Sequence, residues 1–348
     1  MVLEADIKFY PNFKRAFDYM RGIDSYSATP LDTLDNGLGF PVRIKDESGR
    51  MGLGSFKALG GPYAAAQLIL QKWQMEKGEE LLSHRLNDSD VRAFSAEQTF
   101  ITPSAGNHGI GVAAGAKALG AKAVIILSET VPTEFEARLA AFGAKVIRAG
   151  HDYEASVEAA ANEAKYRNAI LLSDGSWPGY THIPKLVMEG YTVMAEELRQ
   201  SFELSNQWPT HVFLQAGVGG LAAAITWMIR HNWRNQPEII IVEPSSAACL
   251  KESHRAGEIV TVTGPISDMG RLDCKVPSLV AWHVLQASDV KYLTITDEDC
   301  RDAASVLSNC GFPTTSSGAA SYAGVLKQLG NTSLDETSRP LVFLTERR

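Results

Sequence analysis

The chain has 348 residues, of which 45% are hydrophobic and 21% charged, and its formal net charge is −7. That length carries about two domains and a sizeable core, and the acidic balance argues against nucleic acid or an anionic membrane as a partner. No apolar run approaches the roughly 18 residues that span a bilayer, and the start, "MVLEADIKFYPNFKRAF", lacks the basic flank and apolar core of a secretory signal.

In chain order, "PVRIKDES" (41–48) reads as a strand, followed by a loop around Lys57 and a helix through about Gln74. "TFITPS" (99–104) is a strand, and "NHGIGVAAGAKALG" (107–120) a helix ending on Gly120. "KAVIILS" (122–128) is a strand and "PTEFEARLAAFG" (132–143) a helix, with proline near its start and glycine at its end. "AKVIRAG" (144–150), "DYEASVEAAANEAKYR" (152–167) and "AILLSD" (169–174) continue the pattern as strand, helix and strand. Crossovers of this length predict a parallel sheet covered on both faces. The alternation resumes with strands at 210–217, 238–244 and 340–345, a helix at 220–231, and a strand running into a helix start over 290–299. Residues 207–211 read as a loop, and 262–282 as irregular. The fold class is α/β, with two domains of parallel sheets flanked by helices and a ligand between them, at strand carboxyl ends. The four cysteines, Cys249, Cys274, Cys300 and Cys310, form no C-x-x-C. They read as reduced thiols of a cytoplasmic protein, with no metal site and no disulfide framework.

Four stretches carry candidate chemistry. In "MGLGSFKALGGPYA" (51–64) a single lysine, Lys57, sits among glycines. It is either a solvated lysine or a buried amine able to react with a carbonyl. In "TPSAGNHGIG" (102–111), Ser104, Ala105, Gly106, Asn107 and His108 lie between a strand end and a helix start. They either cap the helix or form a carboxylate pocket from side chains and free N–H groups. In "LLSDGSWPGY" (171–180), Asp174 is a turn residue or an acid–base group at a strand end. In "FLQAGVGGLAAA" (213–224), Gly217, Gly219 and Gly220 make a tight turn or an anion cradle at a helix N-terminus. A dinucleotide site is the weaker version of that last reading, since the third glycine of its pattern is Ala222.

The order of these motifs, with a hydroxyl residue on the last strand, resembles the fold type II family of pyridoxal 5'-phosphate (PLP) enzymes. The resemblance runs from "SATPL" (27–31) to "FLTE" (343–346) and is strongest to the diaminopropionate ammonia-lyase branch, through "GLGSFKALGG", "MGRLDCKVPS" and "SSGAAS". It implies a large domain of 1–57 and 176–348 and a smaller mobile domain of 58–175, with PLP in the cleft. It implies that Lys57 forms the Schiff base and Phe56 flanks the ring. Asn107 would meet the ring's 3′ oxygen, and Thr345 the pyridine nitrogen. Gly217, Val218, Gly219, Gly220 and Leu221 would cradle the phosphate. Ser104, Ala105, Gly106 and His108 would bind substrate, and Asp174 would act as acid or base. The implied reaction is β-elimination from a small amino acid, 2,3-diaminopropionate or a β-hydroxy amino acid, to a 2-oxo acid and ammonia. The alternative is β-replacement through an aminoacrylate. A homodimer is the assembly implied. The chain departs from the ammonia-lyase pattern at Ala105, where that branch has a second acidic residue. It departs again at Lys275, which stands where a glycine is usual and offers a cation for an extra substrate carboxylate.

Overall fold

The computed structural model describes residues 7–35, 37–104, 106–129, 131, 133–151, 153–329 and 334–347. Ala105 thus lies outside the described residues. Helix α1 (Phe13–Arg21) precedes strands β1 (Leu31–Leu34) and β2 (Val42–Asp46). Next come α2 (Lys57–Lys77), α3 (Ser89–Ala96), β3 (Thr99–Pro103), α4 (Asn107–Leu119), β4 (Lys122–Leu127) and α5 (Glu134–Ala140). They are followed by β5 (Lys145–Arg148), α6 (Tyr153–Arg167), β6 (Ile170–Leu171), α7 (His182–Ser205), β7 (His211–Gln215), α8 (Gly220–Asn232) and β8 (Glu238–Pro244). The last elements are α9 (Cys249–Ala256), α10 (Leu279–Gln286), β9 (Lys291–Ile295), α11 (Asp297–Asn309), α12 (Ser316–Leu329) and β10 (Pro340–Leu344).

Two sheets result. One runs β5-β4-β3-β6 and is parallel throughout. The other runs β1-β2-β10-β7-β8-β9 and is parallel except for β1, which pairs antiparallel with β2 at the edge. Both faces of the larger sheet are buried, as parallel strands require. Val212, Leu214, Ile239 and Ile241 enter the main core, and Phe213, Ile240 and Val242 enter a second core with α11 and α12. In the smaller sheet, Phe100, Ile125 and Leu127 join the main core, while Ile101, Val124 and Ile126 pack on Ala160 and Ala164 of α6. The sheets therefore share one core, and their strand ends face a common cleft. Among the described residues no helix is long and apolar enough to cross a membrane.

Several boundaries differ from the sequence reading. The strand expected over 169–174 shrinks to Ile170–Leu171. The Tyr180 hydroxyl explains this: it donates to Leu171 O at 2.7 Å and accepts from Ser173 N at 3.0 Å, taking groups a longer ladder would need. The irregular stretch expected over 262–282 ends early, because α10 starts at Leu279, where the Ser176 hydroxyl accepts Val280 N at 2.9 Å. Helix α7, with 24 residues, was not anticipated. Every residue from Leu186 to Leu198 is buried in it, so no polar face marks the helical period.

A fully buried charge cluster fastens α7 to β2. Glu197 Oε2 meets Lys45 Nζ at 2.6 Å, Glu197 Oε1 meets Arg50 at 2.7 Å, and Glu47 meets the same guanidinium at 2.6 Å. Tyr26 and Thr29 donate hydroxyls to the two acids. Two cations against two carboxylates is a balanced set. Glu197→Gln leaves two buried cations facing one carboxylate. We expect it to cost about 3–5 kcal/mol of stability, read as a fall in the denaturant midpoint with an unchanged slope.

Candidate active site

Lys57 is the first residue of α2, so the preceding turn aims its side chain. That turn is left-handed at Met51, Gly52 and Gly54, with φ of 48°, 71° and 83°. It is pinned to the end of β10, because Phe56 N donates to Thr345 O at 3.1 Å and Ser55 pairs with Glu346. The first turns of α2 are wedged between α4 and α7. A Cβ on Gly60 would lie 2.4 Å from the Tyr191 ring, one on Gly111 2.6 Å from Lys57 O, and one on Gly190 2.6 Å from Leu59 O. Slim backbone around Lys57 is thus a packing requirement, and it fixes the lysine's position.

The Lys57 side chain keeps 20% of its exposure and ion-pairs with Asp174 Oδ2. Its Nζ lies 5.2 Å from the Phe56 ring centre and 5.5 Å from that of Tyr191, within cation–π range. Burial opposes the ammonium, but the Asp174 carboxylate and Tyr191 overcome it and hold the lysine pKa above its ordinary value. Burial likewise opposes the Asp174 charge, and Lys57 and then His108 overcome it, holding the carboxyl well below the usual range. Burial pushes the His108 pKa down, and the Asp174 carboxylate opposes it. Its Nε2 lies 2.9 Å from Leu172 O, which can only accept, so Nε2 carries the proton. Among the described residues the buried Nδ1 has no hydrogen-bond partner.

Past β7 the chain turns through Gly217, Val218 and Gly219 into α8, with Gly219 at φ 99°. No side chain caps this helix, so its first N–H groups face the cleft. A Cβ on Gly217 would lie 3.0 Å from Cys274 Sγ and 3.2 Å from Arg271 O, a tight fit that requires those neighbours to give way. After β3, the Ser104 hydroxyl accepts Gly106 N at 2.9 Å and Gly109 N at 2.8 Å. It also donates to Gly106 O at 3.1 Å, so its side chain is spent on shaping the loop. The Asn107 amide donates to Glu346. The Thr345 hydroxyl oxygen accepts from Gln215 Nε2 at 3.1 Å, which leaves its proton for a partner in the cleft.

These pieces line one cleft, a concavity of the kind that small-molecule sites occupy. Phe56, Lys57, Asp174 and Thr345 lie in it, with Ser104, Gly106, Asn107 and His108 of the loop after β3. Gly217, Val218, Gly219, Gly220 and Leu221 complete it. The sequence reading missed Gln215, Arg271, Asp273, Cys274, Ser317 and Glu346, which also line it. Most of them stand in or beside "MGRLDC", "SSG" and "LTE", short stretches without periodicity, where side-chain direction is not readable before folding. Lys275, which the sequence offered as a carboxylate reader, is not among the lining residues. Its Nζ is held by Asp273 at 2.6 Å and by the Ser246 and Pro265 carbonyls.

A family model described as "Pyridoxal-phosphate dependent enzyme" matches residues 24–346. Diaminopropionate ammonia-lyase of Escherichia coli (strain K12) is 34% identical over 302 residues, covering 85% of this chain and 75% of that protein. Among solved structures, the Escherichia coli enzyme in complex with an aminoacrylate-PLP azomethine reaction intermediate superposes with a TM-score of 0.86. It is 29% identical over the match, which covers 98% of this chain and 91% of that one. The same enzyme in complex with D-serine gives a TM-score of 0.85, with the same identity and coverage.

Proposed function

The chain belongs to the family of pyridoxal-phosphate dependent enzymes, and from that premise we propose that it is a lyase that removes the β substituent of small amino acids. The products are a 2-oxo acid and ammonia. The observation that carries this reading is the Lys57–Asp174 pair, set beside the Phe56 and Tyr191 rings in the cleft that the uncapped N-terminus of α8 also lines. The residues present fit the cofactor. The turn of Gly217 to Leu221 leaves only a tight fit for a Cβ at its first glycine and offers N–H groups for a phosphate. The Thr345 hydroxyl has a proton for the pyridine nitrogen, Asn107 has amide protons for the ring oxygen, and Lys57 has the amine that would hold the aldehyde. When bound, PLP supplies an electron sink for the pair left at the substrate's α carbon.

The chain's own groups do the rest. N–H groups of the loop after β3 hold the substrate carboxylate, and Ser104 keeps that loop in shape. Lys57 Nζ donates to Asp174 Oδ2, so a proton donor and a carboxylate acceptor stand side by side in the cleft and can move a proton without calling on water. Thr345 would offer the ring nitrogen a hydroxyl, not a carboxylate, which would favour departure of the β substituent over long-lived charge at the α carbon. We take residues 58–175 as the smaller domain, which carries the substrate loop and Asp174 to the cofactor side. A cytoplasmic homodimer completes the proposal.

The test is release of 2-oxo acid from both enantiomers of 2,3-diaminopropionate, serine, threonine and 3-hydroxyaspartate by the PLP-loaded protein. We expect turnover of at least one β-substituted substrate. Absence of keto acid from all of them would sink the reading.

A further inference from the structure

Three guanidinium groups gather at one carboxylate on the rim of the cleft. Arg271 lines the cleft. Its buried Nε forms a long ion pair with Glu346 Oε2 at 3.8 Å, too far for a hydrogen bond, and has no hydrogen-bond partner among the described residues. Its guanidinium carbon lies 4.6 Å from the centre of the Phe135 ring, and that of Arg138 lies 5.2 Å from the same ring. Arg347 reaches the same place: a Cβ built on Gly54 would lie 3.0 Å from Arg347 Nε and 3.4 Å from a terminal nitrogen of Arg138. Arg138 has its pKa lowered by burial first, then by the charges of Arg347 and Arg271, with Glu346 opposing. Glu346 is already engaged, accepting from Asn107 Nδ2 and the Thr315 hydroxyl.

The other charges of the cleft are matched. Lys57 pairs with Asp174, and Asp273 with Lys275. At the rim three guanidiniums face the one Glu346 carboxylate, so among the described residues the surplus there is cationic, and Arg271, 3.8 Å from that carboxylate, is the guanidinium that lines the cleft. The Arg271 carbonyl lies against the glycine turn, but its side chain runs to Phe135. The Phe135 ring abuts Gly106, where a Cβ would come within 2.6 Å. That places the guanidinium beside the substrate loop and away from the phosphate cradle.

We propose that Arg271, backed by Arg138 and Arg347, binds a second carboxylate on the substrate, so the cleft selects amino acids with an acidic side chain. The proposal rests on the elimination reading and narrows its substrate. A second ammonium, as in a diamino acid, would meet net positive charge here. A carboxylate would gain a planar, charge-assisted partner. With 3-hydroxyaspartate, the Cα–H and Cβ–O bonds break. The proton passes to the Lys57–Asp174 pair and the hydroxyl leaves as water. Hydrolysis of the resulting enamine consumes one water and gives oxaloacetate and ammonia.

The experiment compares kcat/KM for 3-hydroxyaspartate, serine and 2,3-diaminopropionate in the wild-type holoenzyme and in Arg271→Gln. Calorimetric titration of both proteins with succinate, a dicarboxylate that cannot react, runs beside it. We expect 3-hydroxyaspartate to be preferred. Arg271→Gln should lower its kcat/KM by on the order of 10²-fold, at least tenfold more than for serine, and weaken succinate to match. Arg347→Gln, a change on the exposed rim, should give a smaller loss of the same selectivity and stands in if the first variant does not fold. Equal loss on all substrates, or loss of bound cofactor from Arg271→Gln, overturns the proposal while leaving elimination intact. If no amino acid yields keto acid, elimination falls, and succinate decides: binding that needs Arg271 supports the carboxylate site, and no binding by wild type overturns it.

Discussion

Lys57→Ala is expected to abolish turnover, lowering kcat/KM by about 10⁴-fold, and to remove the visible absorbance of the bound cofactor. Both effects trace to one nitrogen. Lys57 Nζ is the amine in the cleft that faces Asp174, and the rings of Phe56 and Tyr191 hold it in place. Among the described residues no other lysine lines the cleft. The glycines that let α4 and α7 close on α2 keep Lys57 at this spot, so the loss is chemical and the fold should persist. Truncation removes an ammonium buried beside a carboxylate, and the ion pair is lost with it. Lys57→Arg separates charge from chemistry. It can keep a cation near Asp174, but a guanidinium stays protonated and cannot serve as an amine nucleophile. We therefore expect Arg to preserve the thermal midpoint better than Ala while restoring no keto-acid release. Turnover by either variant within tenfold of wild type would remove Lys57 from the chemistry.

The sequence made the sheets legible because their strands are continuous apolar runs separated by crossovers of helical length, as in 122–128 and 238–244. The antiparallel β1 was not legible, since four residues at a sheet edge carry too little alternation. The glycines alone left a plain tight turn and a solvated lysine open, and it was the order of the motifs that singled out the turn of Gly217 and Lys57, both of which line the cleft. Arg271 and Glu346 were not legible. Whether an arginine in an irregular stretch faces a cleft depends on where Phe135, some 130 positions earlier, is folded against it. Lys275 shows the same limit from the other side: a cation in a suggestive place is neutralised two residues away by Asp273. Tyr191 belongs to the site through contacts with Phe56, at 5.0 Å between ring centres, and burial pushes its phenol up to about 12. It lay inside the helix whose uniform burial hid it.

Asp174→Asn is expected to lower kcat by about 10²–10³-fold and to change the pH profile in a stated direction. In the wild type Asp174 has a depressed pKa, so its stabilising pairing is complete above the ordinary carboxylate value and is lost only as pH falls through the lowered one. Lys57 has a raised pKa, so its pairing is complete below the ordinary lysine value and is lost as pH rises through the raised one. The pair is therefore intact across the whole neutral range, and neither member should produce an inflection between about pH 5 and 8. Asparagine removes the charge that holds the Lys57 ammonium. Burial, the largest influence on this lysine and the one that lowers its pKa, then acts with less opposition. The lysine should lose its proton at lower pH in the variant, moving the alkaline limb of the kcat profile down. Asp174→Glu keeps the charge on a longer stem and should retain the limb near its wild-type position even where kcat falls. A purely structural Asp174 would lower kcat equally at every pH, so an unshifted alkaline limb in the asparagine variant would contradict the pairing. The direction of that shift follows from the balance between burial and one carboxylate at Lys57.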